Sequence, residues 1–261
     1  MKRNSQTRLP MLLAVATVSS TALAQVSTMY VTDGTGSVGY THMLQGGSEI
    51  GAYQWTGPAQ IPIWVGPTVR QAYYIASGGP GMEYTLGGVA TGYGNNWNNG
   101  GIQAYDAASD GKNVFMVDWG SGQVKSWGLN YEGPGNVLFN ASQYDLGITY
   151  DSKRNEIWTS NWITGNLEEW SMNGTLLSVT GTGGNLVGAL GYDAADDSLW
   201  MKDNSRNAML QFSAGTHAYL NSYGYQTYVL GGEFGTSVTP EPTSMAALGL
   251  GVVALLKRRK K

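Results

Sequence analysis

Five segments of this 261-residue chain repeat one pattern at a nearly constant spacing, which limits the fold more than any other feature. Each has two or three apolar or aromatic residues, usually Asp or Asn, a short Gly/Ser/Asn turn, and a second apolar stretch. They read MYVTDGTGSVGYTHM from Met29, YYIASGGPGMEYTLG from Tyr73, VFMVDWGSGQVKSWG from Val114, IWTSNWITGNLEEWS from Ile157 and LWMKDNSRNAMLQFS from Leu199. The aromatic anchors Tyr30, Tyr73, Phe115, Trp158 and Trp200 lie 43, 42, 43 and 42 residues apart. A strand-and-turn pattern at this period builds the four-stranded blades of a β-propeller. The expected fold is therefore all-β, a propeller of five blades of about 42 residues.

Three repeats carry a further strand ahead of the anchor, ending in Tyr-Asp: GIQAYD to Asp106, GITYD to Asp151 and GALGYD to Asp193. Read in order, this is the innermost strand of a blade, the anchored strand the second, and the segment after the turn the third. Stretches such as LLSVTG, 176–181, supply the fourth. The first repeat has no room for its own inner strand, whereas YGYQTYVLGG, 223–232, is left over after the last. That spare strand is expected to complete the first blade and close the ring, so that its ends leave no open edge. The turns Asp118 to Val124, Asn161 to Leu167 and Asp203 to Met209 share one length, Asp33 to Val38 is one shorter, and the second repeat has Ala76-Ser77 instead. This pattern resembles NHL-type and related propeller repeats, a likeness of fold that does not identify a function.

Both ends read as targeting sequence. Lys2, Arg3 and Arg8 precede an apolar segment and the Ala22-Leu23-Ala24 cleavage pattern, as in a secretory signal peptide passed to the Sec translocon. At the other end stand Pro240-Glu241-Pro242, the apolar run 244–256 and five cations, Lys257 to Lys261. The run is 13 residues long, short of the roughly 20 a spanning helix needs. This tail resembles the PEP-CTERM sorting signal of Gram-negative bacteria, with Thr239 where Val is usual. The resemblance implies an exosortase as partner, membrane contact only while 244–256 is held, and delivery to the envelope surface or extracellular matrix. The expected organisation is a signal peptide at 1–24, a propeller at 25–235 and the sorting signal at 236–261.

Without its ends the chain is acidic: residues 25–239 hold seven cations and 17 anions, a net of −10. That balance argues against nucleic acid, which demands a basic face, and against an anionic membrane surface. No cysteine is present, which removes disulfides and thiol chemistry. His42 and His217 lack metal-ligand spacing, and no nucleophile elbow, phosphate loop or zinc-protease helix motif occurs. No metal, cofactor or catalytic residue is assigned.

In an antiparallel four-strand meander, the turn between second and third strands shares a face with the links between blades. That face should collect Asp33, Asp118-Trp119, Asn161-Trp162, Asp203-Asn204 and the link GYGNNWNNGG at 92–101. Trp97, Trp119 and Trp162 offer flat surfaces for sugar rings, and Asn96, Asn98, Asp118, Asn161 and Asp203 offer hydrogen bonds to hydroxyls. The leading expectation is a non-enzymatic propeller that binds glycan, such as exopolysaccharide, or another surface polymer. Two alternatives stay open: a polysaccharide hydrolase or lyase pairing Asp145 with Asp118 or Asp203, and a structural scaffold without a small ligand.

Overall fold

The computed structural model describes residues 27–34, 38–56, 61–74, 79–94, 96–97, 101–130 and 134–235. These form a five-bladed β-propeller. Blade 1 takes the C-terminal strand Val229–Phe234 as its innermost, followed outward by Met29–Asp33, Val38–Gln45 and Ser48–Thr56. Blade 2 is the three-stranded sheet Ile63–Val65, Val69–Gln71 and Met82–Tyr84, with a short ribbon of Gly79–Pro80 and Asn96–Trp97. Blade 3 runs Ala108–Ser109, Asn113–Val117, Gln123–Gly128, Asn136–Asn140. Blade 4 runs Asp145–Asp151, Glu156–Asn161, Asn166–Ser171, Leu176–Gly181, and blade 5 Val187–Asp193, Ser198–Asp203, Ala208–Ser213, Tyr219–Gly224.

Ring closure follows the expectation: Val229–Phe234 pairs antiparallel with Met29–Asp33, Tyr30 facing Glu233. Within the blades, alternation along the second strand sends successive side chains to opposite faces. In blade 3, Val114 and Met116 join Trp64, Ile102 and Trp127 on the side of blade 2. Phe115 and Val117 join Ile148, Ile157 and Trp170 on the side of blade 4. The anchors Trp158 and Trp200 likewise fill the wedges between blades 4 and 5 and between blades 5 and 1, and Tyr30 that between blades 1 and 2. Burying an apolar side chain of this size stabilises by about 1.5–3 kcal/mol, so the anchors are what force each blade onto the next.

The second repeat departs from the expected pattern. Tyr73 lies outside the strands, and the wedge between blades 2 and 3 is filled by Trp64 on the first strand instead. Its Ala76-Ser77 turn lies outside the described residues, as do the signal peptide and the sorting tail.

The axis also departs from the expected pattern. Alignment by Tyr-Asp places Asp106 beside Asp151 and Asp193 at the lower end of an inner strand. Asp110 holds that place in blade 3: its carboxylate accepts the Lys112 and Asn113 N–H groups, as Asp151 accepts those of Lys153 and Arg154. Asp106 is instead fully buried at the centre of the ring. Its Oδ1 accepts the Ala107 and Gly232 N–H groups at 3.0 and 2.8 Å, its Oδ2 those of Ile148 and Leu190 at 3.2 and 3.0 Å. The last three donors stand 42, 84 and 126 residues further along the chain, the same point in three successive repeats. Burial pushes the Asp106 carboxyl up, but donors aimed at both oxygens favour the anion, and the bonding pattern is that of a carboxylate. A side chain at Gly231 would strike the Ile61 carbonyl oxygen and meet that of Tyr105 at 2.7 Å.

Candidate functional site

At the upper end of the axis, the face that carries the second turns, a cavity of about 270 Å³ opens above the inner strands. Leu146 and Leu230 line it from the inner strands of blades 4 and 1, and Tyr105, Trp119, Trp162 and Tyr228 complete its wall. Trp119 and Trp162 reach it by equivalent local geometry. Each follows the Asp or Asn that begins a tight turn, and the N–H of each bonds the chain entering the adjacent inner strand, Trp119 to the Gln103 carbonyl and Trp162 to that of Tyr144. The backbone thus points both indoles from the blade rim toward the axis.

The rings brace one another rather than stacking flat. Trp119 meets Tyr105 edge-on at 6.4 Å and Tyr144 at 5.2 Å, and Trp162 meets Tyr228 edge-on at 6.1 Å. Tyr74 stacks on Tyr105 at 5.4 Å, and the Gln103 amide donates to the Tyr105 hydroxyl. Edge-on packing leaves ring faces available to a ligand. Tyr228 is 50% exposed, so the mouth opens to solvent. Burial raises both the Tyr105 and Tyr228 phenols, which keeps them neutral donors. No charged side chain lines the cavity among the described residues.

The sequence-derived polar partners mostly serve the turns. Asp118 accepts the Gln103 N–H at 2.8 Å and the N–H and hydroxyl of Ser121. Asn161 accepts the Ile163 and Thr164 N–H groups while its amide donates to the Gln143 carbonyl and Asp145. Asp203, fully buried, accepts from Ser205 and Arg206, and its guanidinium partner and the serine hydroxyl hold its carboxyl low against burial. Asx side chains in turns commonly do this. The Asn96–Trp97 backbone pairs with Gly79–Pro80, and Asn98 lies outside the described residues. Sequence reasoning missed Tyr105, Tyr228, Leu146 and Leu230. Both tyrosines stand just ahead of inner strands, Tyr105 after Ala104 and Tyr228 before Val229, a pattern that core packing produces equally well.

Asp145, the acid considered for hydrolysis, does not line the cavity. It is fully buried, accepting the Thr159 hydroxyl at 2.7 Å and the Asn161 amide at 2.9 Å. Burial, with Glu168 nearby, pushes it up to about 7. Asp118 and Asp203 are committed to their turns, so neither forms a working pair with it across the cavity.

Residues 238–261 match the PEP-CTERM protein-sorting motif. The motif implies recognition by an exosortase, export and sorting to the cell surface. No curated protein matches the chain in sequence. Among solved structures, a chain of a nidogen/laminin complex is similar over 81% of this chain and 99% of its own, at 14% identity and a TM-score of 0.54. Apo AztD from Citrobacter koseri is similar over 80% and 98% at 7% identity and a TM-score of 0.49. A protein of unknown function from Bacteroides caccae follows over 76% and 73%, at 13% identity and 0.48. At these identities the likeness is one of fold alone.

Proposed function

We propose that this exported, surface-sorted propeller binds glycan or another surface polymer through the axial aromatic cavity, without catalysing its turnover. The carrying observation is that Trp119 and Trp162, from two different blades, share one uncharged cavity with Tyr105 and Tyr228. Indole and phenol faces suit the C–H faces of a sugar ring, and the phenol hydroxyls and the Gln103 amide supply directional bonds at the rim. The placement of the chain end agrees with this reading. Gly235, three residues before the sorting motif, lies at the opposite, lower mouth of the axis, so a chain held by its tail leaves the aromatic face turned away from the attachment.

Trp119→Ala and Trp162→Ala should each reduce retention on an immobilised polysaccharide panel by about tenfold, given about 1–2 kcal/mol for one aromatic face. Unchanged binding by both variants, folded by circular dichroism, would sink the assignment of the cavity. Replacing Pro240-Glu241-Pro242 by alanines should leave an unprocessed, membrane-held precursor on cell fractionation. Normal release of that variant would remove the exosortase from the proposal.

A further inference from the structure

The lower mouth of the axis is a second cavity, of about 160 Å³, and its chemistry is unlike that of the upper one. Tyr150, Tyr192 and Phe234 bring three aromatic rings to it, and Asp110, Asp193 and Glu233 three carboxyl groups. No Lys, Arg or His lines it among the described residues. Glu233 lies deepest. It is 7% exposed, and its two oxygens are 3.2 and 3.0 Å from the Thr149 hydroxyl on the inner strand of blade 4. Asp193 uses Oδ1 for the Ser27 hydroxyl and the Ala195 N–H, which leaves Oδ2 without a partner among the described residues.

We propose that the lower axial mouth is a binding site for an organic ammonium group, held by the rings of Tyr150, Tyr192 and Phe234 and by the carboxyl groups of Asp193 and Glu233. Aromatic rings attract a cation through their negative faces, and the attraction grows where water is excluded. Carboxyl groups gathered in a small pit with no cation in its lining favour a cationic ligand, and Glu233, whose carboxyl burial pushes up to about 8, releases its proton as the ammonium enters. Size decides between ligand types: drug-sized molecules occupy about 300–1,000 Å³, and this cavity fits only a compact head group. Chemistry decides against a metal ion. A hard cation wants six or more oxygen ligands, whereas the ring faces here offer none, the Tyr150 and Tyr192 hydroxyls are engaged with Asn155 and Asp197, and no group of three acidic or histidine side chains among the described residues is placed to hold one. A neighbouring cavity of about 230 Å³ shares Asp193 and Phe234 as walls; Met29, Leu44 and Trp200 form its apolar side, and Ser27 and Asp196 its polar one. Its apolar side gives room for the carbon chain carrying the ammonium.

The test uses the full chain, with choline as probe and 3,3-dimethylbutan-1-ol as its neutral carbon isostere. Calorimetry should show choline bound at least about tenfold more tightly than the alcohol, the factor expected of one desolvated cation–π contact set. In the amide spectrum choline should shift Gly111, Ala194 and Gly235 at the lower mouth, and leave the indole signals of Trp119 and Trp162 unmoved. At pH 8.5, above the value near 8 to which burial pushes Glu233, Glu233→Gln should weaken choline about tenfold while the alcohol is unaffected. Equal binding of the two probes overturns the proposal, as do choline shifts confined to the Trp119 and Trp162 cavity. The wild-type spectra decide this even where the Glu233 variant does not fold. Because the site lies on the other face, its failure leaves the glycan reading untouched.

Discussion

Asp106→Asn is expected to lower the free energy of unfolding by about 3–5 kcal/mol, a large share of the 5–15 kcal/mol typical of a folded domain. The substitution keeps size and shape, so any loss reports hydrogen bonding rather than a cavity. Four N–H groups now end on the two carboxylate oxygens, two on each. Asparagine keeps one oxygen and turns an NH2 group toward the other pair of donors. Two buried N–H groups then lose their acceptor, and each costs about 1–3 kcal/mol. Relief of a buried charge acts the other way, but donors aimed at the anion have already replaced most of its lost hydration. Three of the donors belong to blades 1, 4 and 5, and the acceptor and the fourth donor, Ala107, to blade 3, so the loss should weaken the ring as one unit. Urea denaturation would measure it, with Asp110→Asn as control. Asp110 caps a partly exposed turn, and its loss should cost only about 1 kcal/mol. Equal stability of wild type and Asp106→Asn would remove the axial carboxylate as a clasp.

The protein should also be most stable in mild acid and lose stability as the pH rises from about 5 to 8.5. Besides Asp193, which burial also raises, three carboxyl groups hold protons unusually tightly in the folded state. Burial pushes Asp145 up to about 7, with Glu168 adding to it. Burial alone pushes Glu233 up to about 8. Burial and the neighbouring Glu169 push Glu156 up to about 7. A group whose folded value lies above its unfolded one contributes stability that is fully present below the unfolded value, near 4, and is lost as pH climbs through the folded value. His42 acts in the same sense, because Asp33 and Glu49 outweigh the lowering effect of its burial. Opposed to these are Asp197, held low by Arg154 and Lys153, and Glu83, held low by Arg70 and Thr91 against burial. Their contributions are present above about pH 4 and vanish only below it. The two sets together place the maximum near pH 4–6. Lys202, which burial lowers to about 8, regains stability only at higher pH, beyond that window.

One unit of pKa corresponds to about 1.4 kcal/mol, so a combined loss of a few kcal/mol by pH 8.5 is expected even with partial screening. For a domain of this size that is a fall in Tm of about 10 °C. Calorimetry across pH 4–9 checks it, and Glu233→Gln should flatten the fall on its alkaline side. A Tm that rises from pH 5 to 8 would contradict the assignment of protonated acids to the folded ring.

Much of this architecture was legible in the residue order. Tyr30, Phe115, Trp158 and Trp200 are large apolar residues at a constant interval, and constant intervals of buried bulk leave a chain little choice but a ring of equal wedges. The spare strand near Val229 followed from counting, because a sheet edge at the seam would otherwise stay unpaired. Trp119 and Trp162 were legible as a pair on one face, since turns at equivalent points of equal blades must share a face.

The second repeat was less legible, because Tyr73 keeps the interval while Trp64 does the packing. Nothing local distinguishes an aromatic that fills a wedge from one that sits beside it. The polar half of the expected upper site failed for a related reason. Asp118, Asn161 and Asp203 are residues that turns recruit, and the nearest free N–H groups took their oxygens before a ligand could.

The sequence by itself determined the repeat, the number of blades, the closure by the final strand, and the address written in Pro240-Glu241-Pro242 and the basic end. All of these rest on local pattern and on counting. Only the tertiary structure decided what lies on the axis: Asp106 beneath the upper cavity, the aromatic wall above it, and the acid-lined mouth around Glu233 below. The physical reason is that axial residues meet only after the ring closes. Three of the four donors to Asp106 arrive from 42, 84 and 126 residues away, and a Tyr-Asp dipeptide reads alike whether its carboxylate caps a turn or holds four blades together.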